Sequence, residues 1–140
     1  MITKLVALAR STNDEPRLAM ALHTHGHACT LAGEVEDAEK AFDESREISL
    51  RLGDKRSAAL SSSMLGRLAI ARGSLEEGLP RVVVALGEFE GDDPARGLLF
   101  ARLAELSRKF EPRRFDAAVK AATRGQPPEV PVEIARVVGV

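Results

Sequence analysis

Every histidine and the only cysteine of this 140-residue chain fall in one stretch, His23-Thr24-His25-Gly26-His27-Ala28-Cys29. On a helix, His23 and His27 lie one turn apart, the spacing of a metal-ligand pair, and His25 and Cys29 form a second such pair. At 3.6 residues per turn the two pairs diverge by about 200°, so the four side chains cannot close one tetrahedral site. Thr24 stands where the His-Glu-x-x-His metalloprotease pattern needs its glutamate. The expectation is no metal: His25 and Cys29 fall in core columns, and His23 and His27 face a groove. A cysteine in a helix core column is normally inert as a nucleophile. Gly87, Gly91 and Gly97 lack the spacing and the Lys-Ser/Thr of a phosphate-binding loop. Ser61-Ser62-Ser63 has no acyl-enzyme motif around it. The acidic run Glu34, Glu36, Asp37 and Glu39 suits the start of a helix, where carboxylates complement the dipole. These residues predict a chain that is not an enzyme and carries no cofactor.

The elements that hold these residues repeat. At an offset of 40, Gly26 matches Gly66 and Gly33 matches Gly73. Val35, Leu75 and Phe115 form a column, as do Ala38, Gly78 and Ala118, and Phe42, Val82 and Ala122. The linkers Asn13-Asp14, Gly53-Asp54 and Asp93-Pro94 recur at the same offset. Apolar residues such as Leu18, Leu22 and Cys29, then Leu65, Leu68 and Ala69, keep helical spacing, so each unit reads as two helices. Asp14, Asp54 and Asp93 are placed as N-caps, with Pro16 and Pro94 in the first turns. Gly33 and Gly73 fit left-handed helix stops. Ser74 with Glu77 reads as a capping box. The spacing predicts helices at about 2–11, 15–32, 35–52, 55–72, 75–90, 94–110 and 113–124, with Pro80 either kinking the fifth or marking its first turn. The tail 125–140 contains Pro127, Pro128 and Pro131 and reads as an extended segment, folded over the last helix pair or lying in a groove as a strap.

Composition bounds the class. Hydrophobic residues make up 44% and charged residues 29%, as in a globular chain of one domain. With 20 Lys+Arg against 21 Asp+Glu, there is no general basic footprint for nucleic acid. No apolar run is long enough to span a bilayer. One cysteine excludes an internal disulfide framework and suits a reducing compartment. Met1-Ile2-Thr3-Lys4 does not open a secretory signal, so a cytoplasmic protein is expected. Aromatics are only 4%, with no Trp and no Tyr, which suits thin layers of Ala- and Leu-rich helices.

The columns resemble the tetratricopeptide repeat. In the first unit Leu22, Gly26, Cys29, Ala38 and Phe42 stand at that family's spacings; in the second, Leu65-Gly66, Ala69, Gly78 and Val82. In the third, Leu103, Leu106-Ser107 and Phe110 fit with a shift of one residue, before Ala118 and Ala122. The unit is 40 residues rather than 34, at the edge of the HEAT/armadillo range, and the signature aromatics are mostly missing. The resemblance implies an all-α fold, an α-solenoid of antiparallel helix hairpins with about three repeats and about seven helices over residues 1–124. It also implies a concave face made by the first helices: His23, His27 and Thr30, then Ser63, Arg67 and Ile70, then Ala104, Arg108 and Glu111. His27, Arg67 and Arg108 would form a ladder of donors suited to an acidic segment or a free C-terminal carboxylate. The function implied is binding of a peptide or partner protein. Two alternatives stand beside it: a coupling segment of a larger bacterial regulator, as units of this length with Leu52-Gly53-Asp54-type linkers suggest, and a structural oligomerisation unit. The first helix aligns with the second helix of a unit, which points to a fragment of a longer array or to a homodimer through this end.

Overall fold

The structure, a computed structural model, describes residues 2–138. Met1, and Gly139 and Val140 at the end of the tail, lie outside the described residues, as do the side chains of Ile2, Val137 and Val138. The described residues are all-helical: α1 (Ile2–Ser11), α2 (Glu15–Leu31), α3 (Val35–Arg51), α4 (Lys55–Ala71), α5 (Leu75–Glu88), α6 (Pro94–Ser107), α7 (Pro112–Ala122) and α8 (Glu129–Val138). The first seven match the predicted helices closely. The chain divides into two compact units, Met1–Leu65 and Gly66–Val140, and α4 contributes to both. Repeat arrays bury their apolar faces between neighbouring elements, so they need no common centre.

The first four turns are built alike. Asn13, Gly33, Gly53 and Gly73, 20 residues apart, have φ of 54°, 77°, 75° and 95°. In each, the amide after the left-handed residue reaches back five positions: Asp14 N–H to Ala9 C=O, Glu34 to Cys29, Asp54 to Ser49 and Ser74 to Ala69, at 2.9–3.1 Å. The left-handed residue itself bonds the carbonyl three positions back. This is a Schellman stop, and it satisfies carbonyls that the helix end would otherwise orphan. The following residue starts the next helix. Asp14 and Asp54 accept from the N–H of Arg17 and Ser57. Ser74 differs from expectation: its side chain makes no cap bond, and Glu77 pairs instead with Arg72 at 3.0 Å.

In the first unit, Ala19, Leu22 and Ile48 form a buried cluster joined by Val6 and Leu18, so α1 and α3 both pack against α2. Gly26 lets α3 come close: a Cβ there would stand 2.7 Å from the Phe42 ring. One period later, in the second unit, a Cβ on Gly66 would stand 2.7 Å from Val82, and one on Gly78 only 2.5 Å from the Gly66 carbonyl oxygen. The 40-residue columns therefore mark the same close approach twice.

The second unit buries Leu75, Leu79, Val82 and Leu86 of α5, Leu99, Phe100 and Leu103 of α6, Phe115 and Val119 of α7 and Ile134 of α8. Pro80 lies inside α5, not in its first turn. The expected helix over 94–110 stops at Ser107, and Lys109 and Phe110 form turns. Pro112 explains the early stop, because it disfavours helical geometry in the residue before it and begins α7 at N1. The larger correction is the tail. Residues 125–128 turn, but Glu129–Val138 is helix α8 rather than extended chain. Pro131 is its third residue, where a missing N–H costs no intrahelical bond. The helix packs against α6 and α7 and buries Ile134 completely. Arg96 fixes it further, donating to Leu86 C=O of α5 and to Glu133 of α8 at 2.6 Å.

Candidate functional site

The richest cluster of polar side chains lies in the first unit. His23 and His27, one turn apart on α2, approach with Nε2 to Nε2 3.1 Å, so one nitrogen carries the proton and the other accepts it. Both rings stand edge-on to Phe42, at centroid distances of 5.2 and 5.4 Å. His23 Nδ1 lies 3.2 Å from Ser61 Oγ. Burial, and secondly the neighbouring charge of His27, push the His23 pKa down to about 4, so its ring is neutral at pH 7. The Ser61-Ser62-Ser63 run is spent in three directions: Ser61 on His23, Ser62 on Arg46 Nε at 2.5 Å, and Ser63 on its own helix at Leu60 C=O. His25 and Cys29 also pair, with Nε2 to Sγ 3.5 Å. Cys29 is buried, and burial, followed by the charges of Glu34 and Asp37, raises its thiol pKa, the opposite of nucleophile activation. Among the described residues no group of three or more His, Cys, Asp or Glu side chains could hold a metal ion.

Beside this network lies a cavity of about 310 Å³. Its walls come from Pro16, Ala19, Met20, His23 and Thr24 of α2 and from Asp54, Ser57 and Leu60 at the start of α4. Ser45 and Ser49 of α3, and Leu52 just after it, complete it. The lining hydroxyls are nearly all committed. Ser45 donates to Ala19 C=O, Thr24 to Met20 C=O and Ser57 to Asp54. The bonds from Ser57 hold the Asp54 carboxyl below its ordinary pKa, so it stays anionic. Ser49 is the exception: it is 1% exposed and its Oγ has no hydrogen-bond partner. A second groove of about 410 Å³ runs between α1 and α2, lined by Leu5, Leu8, Ala9, Met20 and Ala21 with polar neighbours. Leu8 and Met20 are 60% and 70% exposed there.

The nine groove residues expected from the sequence fare unequally. His23 and His27 meet, as above. Thr30 returns its hydroxyl to Gly26 C=O, and Ser63 is buried. In the second unit Arg67 is half-buried on α4; burial and then the charge of Arg102 lower its pKa, and Glu105 opposes them. Ile70 is a correction: it is 1% exposed and packs beside Gly78, so it belongs to the core. Ala104 stays on α6, but Arg108 and Glu111 lie beyond its last residue, exposed in the turn to α7, and do not continue a helix face. The sequence reading missed the cavity. Its signal was the α3 stripe Ala38, Phe42, Ser45, Ser49, in which two serines continue a row of core positions.

No protein-family model, no curated protein sequence and no solved structure matches this chain. Among the described residues no helix is long and apolar enough to cross a membrane.

Proposed function

We propose that this chain is a protein-interaction module of the tetratricopeptide-like kind, not an enzyme, and that its first unit receives a side chain of a partner polypeptide between α2 and α4. The cavity carries this reading: largely apolar walls with His23 and Asp54 among their few polar groups suit recognition of an inserted group. The His23 imidazole supports it, since it lines the cavity and is held in place against Phe42 and Ser61. Panning a random peptide library against the intact chain tests the reading. Peptides recovered on the native protein should lose at least tenfold in affinity to Thr24→Phe, which fills the mouth from an exposed position. Retention of full affinity by that variant would place the partner elsewhere.

A second reading, self-association through α1, is favoured by the exposed Leu5, Leu8 and Met20 along the α1–α2 groove. Leu8→Glu should then shift the sedimentation coefficient toward the monomer value at high concentration.

A further inference from the structure

The groove between α1 and α2 repeats, one period earlier, a wall of the cavity between α2, α3 and α4. To that cavity α3, the turn after it and α4 give Ser45, Ser49, Leu52, Asp54, Ser57 and Leu60. Forty residues before them stand Leu5, Ala9, Thr12, Asp14, Arg17 and Met20, and all six line the groove. What differs is the cover. Over α3 lies α2: Ala19, Leu22 and Ile48 form a buried cluster, and Ser45 donates to Ala19 C=O. Ser45 and Ile48 are accordingly 1% and 3% exposed, whereas their counterparts on α1, Leu5 and Leu8, are 50% and 60% exposed. Helices of a repeat bury their apolar faces against neighbouring helices, so α2 shows what fits the bare face of α1. It is a helix with a small residue where Ala19 stands and a large apolar one where Leu22 stands. Leucine in place of Ser45 makes the bare face more apolar than the covered one.

We infer that the α1–α2 groove docks an amphipathic helix of a separate partner polypeptide, laid on α1 as α2 is laid on α3. A second copy of this chain is a poorer guest. Its α1 carries Lys4 and Arg10 and no acidic residue, so two α1 helices would set like charges together. Two ten-residue helices, each about 15 Å long, also bury far less than the roughly 1,000 Å² that a stable interface clears. The face that does fit, that of α2, is spent inside each copy, where Ala19, Leu22 and Cys29 are buried. Leu5 and Leu8 line this groove and not the cavity between α2 and α4, so the two sites can be tested apart.

The probe is the α2 sequence as a free peptide, residues 15–31, with Cys29→Ser to prevent oxidation. It is titrated into the intact, isotope-labelled chain and followed by amide chemical-shift mapping. Amides of α1 and of the Met20–Thr24 turn of α2 should shift to saturation, and the peptide should gain helical circular dichroism. Leu22→Glu in the peptide should weaken binding at least tenfold. Leu8→Glu in the chain should do the same while leaving its melting temperature unchanged, because Leu8 is exposed. That variant should also keep its affinity for peptides bound between α2 and α4, so loss of this site and loss of that one are distinguishable. No shift at millimolar peptide, shifts centred on α3 and the start of α4, or binding that survives Leu8→Glu would overturn the proposal. Shifts of the α1 amides with the chain's own concentration, together with a sedimentation coefficient above the monomer value, would give the groove to a second copy and overturn it too.

Discussion

The chain up to Ser74 and the chain after it follow different rules. Before Ser74, three 17-residue helices and four turns keep a beat of 20 residues, and each turn has a left-handed residue, asparagine once and glycine three times, and the same pair of carbonyl bonds. After it, α5 and α6 have 14 residues, α7 has 11 and α8 has 10. Asp93, at the next expected turn, has φ of −65° and caps Ala95 N–H instead. Prolines follow two of the later turns, at the starts of α6 and α7, and individual ion pairs join the helices, such as Arg114 with Glu76 at 2.8 Å and Arg96 with Glu133 at 2.6 Å. A repeated backbone motif makes helix length a property of the period. Once the motif lapses, each length is set by the side chains at hand.

That contrast can be broken or sharpened by substitution. The largest effect is expected where backbone meets backbone. Gly78→Ala should cost about 2–3 kcal/mol in chemical denaturation, since its Cβ would press on the Gly66 carbonyl. Gly26→Ala should cost less, and Phe42→Leu should restore part of it, because there the obstacle is a side chain. Next come the turns. Gly53→Ala should destabilise by about 1–2 kcal/mol, whereas Gly97→Ala, in α6 with open space around it, should stabilise by about 0.5–1 kcal/mol. Equal effects at Gly53 and Gly97 would erase the distinction between the two regions.

Acid probes the regions separately. His23 binds a proton more weakly folded than unfolded, so the unfolded chain takes up protons first as pH falls. Its contribution should be complete above pH 6.5 and disappear by about pH 4, on the order of 1–2 kcal/mol once its partial exposure is allowed for. Thermal melts of His23→Gln across that window should be flatter than those of the native chain. Glu76 titrates lower. Arg114 holds its carboxyl at about 2, so its small, solvent-screened contribution is present above the ordinary carboxylate range and fades only as pH falls toward 2. Arg114→Ala should return that titration toward 4.5, visible in side-chain carboxyl NMR.

The repeat was legible because its signals are categorical: Gly33, Gly53 and Gly73 occupy a backbone region that few residues accept, and Asp14 and Asp54 mark starts. Helix α8 was not, because three prolines within five residues outweighed the period of Val130, Ile134 and Ala135, and only the helix start shows that Pro131 falls where proline is harmless. The end of α6 was misjudged for a related reason: apolar Phe110 continued the stripe past a stop imposed by Pro112. At the site, the histidine pair was visible as spacing, but the cavity was not. Pattern reading registers large apolar residues, and this space exists because Ser45 and Ser49 are small. Ile70 shows the converse: it stood on the expected concave face, but the missing side chain at Gly78 lets it pack into the core.

The uniform turns have a bearing on how such a chain could lengthen. Residues 15–54 begin just after one stop signal and finish just after another with the same hydrogen-bond pattern. A tandem copy of that stretch, spliced in after Asp54, would meet matching junctions on both sides, with Phe42 again facing a glycine. Growth or loss by whole modules at this end would disturb no helix, whereas a cut of the same size near α7 or α8 would sever bonds that occur only once.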